Sequence, residues 1–146
     1  MGGYSLFEIQ KAIDAIISID ETLLEMLSSG TKASIYDNPS QALQDNVNFP
    51  YIVYASNTAI PFDTTTFNGT EATITISAYS DTGDKEEASK IIKRLHDLLH
   101  NQELTVENNN FVFCFWDGLS MVEPEDDDNL ILQHGVIRFR IKTTES

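Results

Sequence analysis

Apolar positions recur along this chain with two different periods, and the changes of period mark its elements. Ile9, Ala12, Ile13, Ile16 and Ile17 follow helical spacing and predict an opening helix with one apolar stripe. Ser5-Leu6-Phe7-Glu8 in front of them reads as a capping box, in which hydroxyl and carboxylate each satisfy an orphan amide. Ser18-Ile19-Asp20-Glu21 interrupts the stripe and opens a second short helical stretch through Leu23, Leu24 and Leu27, with Gly30 as its stop. The N-terminal helical unit is thus expected over residues 5–28.

A strand and helix framework follows over residues 33–143. Ala33 to Tyr36 is a short strand candidate, and Asp37-Asn38-Pro39-Ser40 is a turn cluster. Pro50 suits the first position of a strand running from Tyr51 to Ala55. Asn57 to Gly69 reads as a long polar loop, a length that is uncommon in compact domains without a task. From Glu71 to Ser80 the alternation is regular, with Ala72, Ile74, Ile76 and Ala78 on one side and Thr73, Thr75 and Ser77 on the other. That pattern predicts a sheet with one buried and one wet face. Ala88, Ile91, Ile92, Leu95, Leu98 and Leu99 form a core-facing helical stripe. Asp84, Glu86 and Glu87 sit at its positive end.

Leu104–Val106 and Phe111–Trp116 read as a hairpin across Glu107-Asn108-Asn109-Asn110. The second arm is apolar on both faces. It is either a central strand covered on both sides or a strand with one face against another subunit. The acidic run Glu123-Pro124-Glu125-Asp126-Asp127-Asp128 is expected as a solvated loop before a last strand, Leu130–Thr143. On that strand Ile137, Phe139 and Ile141 oppose Arg138, Arg140 and Lys142. The element order predicts a single α+β domain over residues 1–146, a mainly antiparallel sheet with two helices packed on one face.

Composition narrows the function. The 146 residues, 41% hydrophobic and 22% charged, suit one domain that buries roughly 68–70% of its unfolded surface. The single Cys114 excludes an internal disulfide and fits a reducing compartment. No leader pattern precedes Ser5, and no apolar run approaches the roughly 18 residues of a membrane span. The expectation is a soluble intracellular protein with no membrane association. Leu6 breaks the myristoylation pattern begun by Met1-Gly2, and the Asn68-Gly69-Thr70 sequon reads as a turn.

With 23 acids against 9 bases, the net charge is −14. Phosphate affinity comes largely from Lys and Arg, so this chain is not expected to grip nucleic acid. Lys32 and Lys85 bracket a stretch with no base at all. The charge serves solubility, or it suits a surface that must face DNA without adhering to it.

Candidate chemistry is sparse. His96 and His100 have the i, i+4 spacing of a helical zinc chelate, but Asp97 stands where the metalloprotease motif needs Glu. The acidic run lacks the spacing of a calcium loop. Cys114 lies in an apolar strand with no basic neighbour, which predicts an inert thiol. No nucleophile elbow or phosphate-binding glycine loop is present. The cations of the last strand are expected to pair with acidic neighbours. Ile60, Pro61, Phe62, Asp63 and Phe67 either fold over the core edge or contact a partner. No catalytic residue, metal site or cofactor is expected.

Phe49-Pro50-Tyr51 entering a strand, Pro61 and Thr64, Gly69-x-Glu71, Glu87-Ala88, His134-Gly135-Val136 and Arg138-Phe139-Arg140 occur in this order. Together they resemble the tail-completion or tail-terminator proteins of long-tailed bacteriophages and prophages, from about Ile35 to Ile141. The chain departs from the pattern at Phe62, where the family often carries Trp, and in the Asp126-Asp127-Asp128-Asn129 turn. The resemblance implies a structural virion protein at the head-proximal end of the tail, assembled in the host cytoplasm. It implies a ring, typically hexameric, between a tail tube protein and a head-completion or connector protein, through which DNA passes without specific binding. On that view the acidic loop of Glu123, Glu125, Asp126, Asp127 and Asp128, in part, or else the acids around Asp63, faces the lumen. Ile60, Pro61, Phe62, Asp63 and Phe67 form a partner-contact loop, and Phe111, Phe113, Phe115 and Trp116 a subunit-interface strand. The alternative is a small cytosolic metallohydrolase using His96 and His100.

Overall fold

The computed structural model describes residues 6–27, 30, 34–37, 49–61, 68–82, 84–127 and 130–145, without the side chains of 125–127, 130, 131 and 145. The order is α1 (Leu6–Ile17), α2 (Glu21–Met26), β1 (Ile35–Tyr36), β2 (Tyr51–Pro61), β3 (Gly69–Ser80), α3 (Glu86–Leu99), β4 (Asn109–Asp127) and β5 (Leu130–Glu145). One five-stranded sheet runs β1-β2-β3-β5-β4, with only the short β1–β2 pairing parallel. The fold is α+β, with three helices on one face among the described residues. No described helix is long and apolar enough to cross a membrane.

Register explains why the sheet has one dry face. Ala72 pairs with Ile141, Ile74 with Phe139 and Ile76 with Ile137. Directly paired residues share a face, so these six side chains form one inward layer, and all are essentially inaccessible. Ile9, Ile13 and Ile17 of α1 and Ile91, Leu95 and Leu99 of α3 meet them in one continuous core. Burying each such Ile or Leu contributes about 1.5–3 kcal/mol. Glu71, Thr73 and Thr75 pair with Lys142, Arg140 and Arg138 on the other, open face.

Three local devices position the helices. Asp20 caps α2 by accepting a hydrogen bond from Leu23 N–H at 2.8 Å. Its two carboxylate oxygens also take Nε and Nη2 of Arg94 at 2.9 and 2.7 Å, tying α2 to α3. Asp84 Oδ1 accepts from Glu86 N–H at 3.0 Å at the start of α3. Gly135 lies under α3, where a Cβ would meet Ile92 Cγ1 at 2.8 Å. The Ser5–Glu8 cap falls partly outside the described residues.

Four expectations are corrected. Asn57 to Pro61 continue β2 rather than opening a loop, because an irregularity between Tyr54 and Ser56 resets the alternation. After it Asn57 and Ala59 pair with Ile74 and Ala72 on the helix side, while Ile60 pairs with Glu71 on the open side. Leu104–Val106 are not a strand: Leu104 and Val106 are buried in an irregular segment that plugs the core. Their alternation reflects that burial, not pairing. Strand β4 pairs with β5 instead and runs for 19 residues, so Glu123–Asp127 lie in a strand. That strand is at the sheet edge, which removes the central-strand reading of Phe111–Trp116.

An exposed edge of this length invites unwanted strand addition. Here it is blunted. Asn101 N–H donates to Cys114 C=O at 2.7 Å, and Trp116 N–H donates to His100 Nδ1 at 3.0 Å. Register shifts at Phe111/Phe113 and Trp116/Ser120 break the ladder, the second around Gly118 at φ +94°. Pro124 adds a position with no N–H to offer.

Candidate functional site

The open face carries a ladder that crosses four strands. The Tyr36 ring meets Tyr51 edge-on at 5.8 Å, Tyr51 stacks on Tyr79 at 5.2 Å, and Tyr79 stacks on His134 at 4.5 Å. Phe49 tilts against Tyr51 at 5.3 Å, and His134 Nε2 lies 3.1 Å from Ser77 Oγ. Phe49-Pro50-Tyr51 and His134-Gly135 are therefore joined through Tyr79, although they lie far apart in the chain. This ladder was not legible beforehand, because its members meet only once the register is known.

The cations of β5 lie on the same face and are partnered. Arg138 Nε donates to Asp117 Oδ2 at 2.5 Å, and Arg140 Nη1 lies 3.6 Å from Glu71 Oε1. Lys142 Nζ sits 5.8 Å from the centre of the Phe113 ring. Such a surface is charge-balanced and poorly suited to holding a phosphate chain.

The four aromatic residues of β4 divide between the two faces. Phe113 and Phe115 stack at 4.9 Å on the open side, opposite Lys142 and Arg140. Phe111 and Trp116 turn to the helix side and pack against the core. Val112, Phe115, Leu119 and Met121 are exposed along the same strand, which makes β4 the most apolar accessible element of the sheet. Glu123 is exposed opposite His134. Glu125, Asp126 and Asp127 occupy β4 backbone positions at the hairpin end, and Asp128 lies outside the described residues. Ile60 and Pro61 are exposed at the end of β2, whereas Phe62, Asp63 and Phe67 lie outside the described residues.

His96 and His100 do not assemble a metal centre. Their rings stack at 4.9 Å, His96 Nδ1 lies 3.2 Å from Asp97 Oδ1, and His100 Nδ1 is occupied by the Trp116 amide. No group of three or more potential metal ligands occurs among the described residues. Cys114 is 1% exposed, and burial pushes its thiol up to about 12, so thiolate chemistry near neutral pH is disfavoured. Burial and the nearby Asp14 carboxylate push the Tyr54 phenol up as well. It donates to Asp14 Oδ1 at 3.1 Å, a structural contact between β2 and α1.

A groove of about 450 Å³, which sequence reasoning missed, separates the outer flank of α3 from β4. It is floored by Ile92, Ile137 and Val122 and rimmed by Lys93, His96 and Trp116. Beyond Trp116, Ser120 and Val122 on the helix side of β4 line this groove opposite α3. No periodicity marks the groove, because its residues come from three elements.

Residues 21–144 match the family model described as tail completion protein gp17. No curated protein matches the chain. Among solved structures, the chain is similar to a component of the virion of a native gene transfer agent particle. That likeness has a TM-score of 0.76 at 16% identity and covers 97% of this chain and 98% of the other. At that identity it shows a shared fold.

Proposed function

Because the chain belongs to the tail completion protein gp17 family, structural proteins of phage tails, we propose that it forms a ring, hexameric on the tail, that terminates the tail tube and joins it to the head. The observation that carries this reading is the family match across residues 21–144. The fold shared along nearly the whole chain with a gene transfer agent virion component supports a place in the virion. The tail tube protein lies on one side of the ring and the head-completion or connector protein on the other.

Charge gives the ring a mechanism for passing DNA. A net charge of −14 repels phosphate, and carboxylates around a lumen keep a moving duplex from adhering. Glu123, Glu125, Asp126 and Asp127 toward the end of β4, with Asp128 after them in the chain, are the residues proposed to face that lumen. Ile60 and Pro61, with Phe62, Asp63 and Phe67 beyond them, are proposed to meet a neighbouring protein. Exposed Phe115 with Phe113 on β4 is proposed to contribute to subunit contact, while Phe111 and Trp116 mainly hold the strand to its own core.

Particle assembly without the chain tests the role. Filled heads and tails should accumulate unjoined, and supplying the chain should restore joining. Normal yields of joined particles without it would refute the proposal.

A further inference from the structure

Resting on the ring reading, we infer that successive subunits interlock through the α3–β4 groove of one copy and the α1–α2 corner of the next. The groove is apolar at its floor, with Ile92 and Ile137 nearly buried and Val122 half-buried, and it carries Lys93 and His96 on its rim. Its volume of about 450 Å³ accommodates one or two aliphatic side chains with room for their backbone.

The same chain presents a matching projection. Ile19 stands 75% exposed in the turn between α1 and α2, with exposed Glu21 and Glu25 following it in the chain. An isolated exposed isoleucine needs no explanation. This one is followed by those two acids, and the groove carries the cation Lys93 on its rim. Lys93 pairs with the exposed Asp97 one helical turn away, at 3.7 Å, and such a pair is weak.

Placement supplies the second argument. Asp20, next to Ile19, is bonded to Arg94 on one flank of α3. Helical geometry puts Arg94 about 150° around the axis from the Ile92–Lys93–His96 side that lines the groove. Projection and groove therefore lie on opposite flanks of the helix layer. Two complementary patches on opposite flanks make a head-to-tail contact, and such contacts generate closed rings when the rotation per subunit closes.

The occupant is a second copy of this chain because of charge. Most surfaces of a chain with 23 acids and 9 bases repel one another. A contact that sets Glu21 beside Lys93 replaces repulsion with attraction and fixes the register. Seating Ile19 over Ile92 and Val122 adds apolar burial.

Two experiments on assembled particles read the contact. In the double variant Ile19→Cys/Ser120→Cys, oxidation should give disulfide-linked multimers in isolated tails. Either single variant should give none, and native Cys114 is too buried to compete. Lys93→Glu and Glu21→Lys should each lower the yield of joined particles at least about tenfold, and combining them should restore most of it, since like charges set against each other across the contact repel. A ring visible by electron microscopy without a disulfide between positions 19 and 120, or with position 120 linked to another virion protein, overturns this contact and leaves the ring standing. Charge reversals without effect overturn it too. Tails with no ring at all overturn both readings.

Discussion

Replacing Gly135 by valine should destabilise the protein by about 3 kcal/mol and lower its melting temperature by about 10 °C. Gly135 faces the helix side of β5, paired with Ala78 on one neighbour and Val122 on the other. A Cβ there would lie 2.8 Å from Ile92 Cγ1, 3.2 Å from Cδ1 and 3.6 Å from the Ala88 carbonyl oxygen. Ile92 could swing aside for a single methyl, so Gly135→Ala should cost only about 1 kcal/mol. The two further methyls of valine must displace α3 itself, against a β-propensity gain of less than about 1 kcal/mol. Thermal unfolding followed by circular dichroism reads both variants. A valine variant melting with the wild type would mean that α3 does not rest on Gly135.

Removing the Asp20 carboxylate should cost about 2 kcal/mol, through loss of the α2 cap and of the bonds to Arg94. Asp20→Asn keeps a good capping side chain and loses the ion pair, so it should recover roughly half. The bonded Arg94 guanidinium, helped by the Leu23 amide and opposed by burial, holds the Asp20 carboxyl below the usual carboxylate range. A depressed folded pKa gives stability that is present above the unfolded value of about 3.9 and is lost as pH falls through the folded value. Wild type and Asp20→Ala should therefore differ by a constant amount near neutrality and converge below about pH 4. Denaturant titrations across that range check it. A difference that stayed constant down to pH 2 would show that the charge contributes nothing.

Much of the fold was legible where one period dominated. The stripe from Ile9 to Ile17, the alternation from Ala72 to Ala78 and the stripe from Ala88 to Leu99 each describe an element with one face in the core, and burial repeats at the element's own period. The reading failed where a second influence wrote the pattern. Around Ala55 the register shift reset the alternation, hiding Asn57–Pro61 as strand. At Leu104–Val106 burial without pairing imitated a strand. The acidic run looked like a loop because charge argues for solvent, yet Glu123 and Pro124 are exposed on an edge strand approaching its hairpin turn.

The candidate surfaces were legible only in part. Phe111–Trp116 stood out as apolar on both faces, and exposed Phe115 explains one of them. That Phe111 and Trp116 serve the core while Phe113 stacks under Lys142 depends on the β4–β5 register. The Tyr36–Tyr51–Tyr79–His134 ladder and the α3–β4 groove depend on which strands are neighbours. Strand order is a long-range property, and local spacing does not encode it. His96 and His100 show the converse, since their spacing suggested a ligand pair that the fold instead assigns to edge protection and ring stacking.

Whether this chain ends the tail and meets the head can be read from a cryo-electron microscopy map of intact particles. A single ring of copies of this chain should sit at the head-proximal end of the tail tube, encircling the path of the DNA. Density for the chain along the tube, at the distal tip or nowhere in the particle would refute that placement.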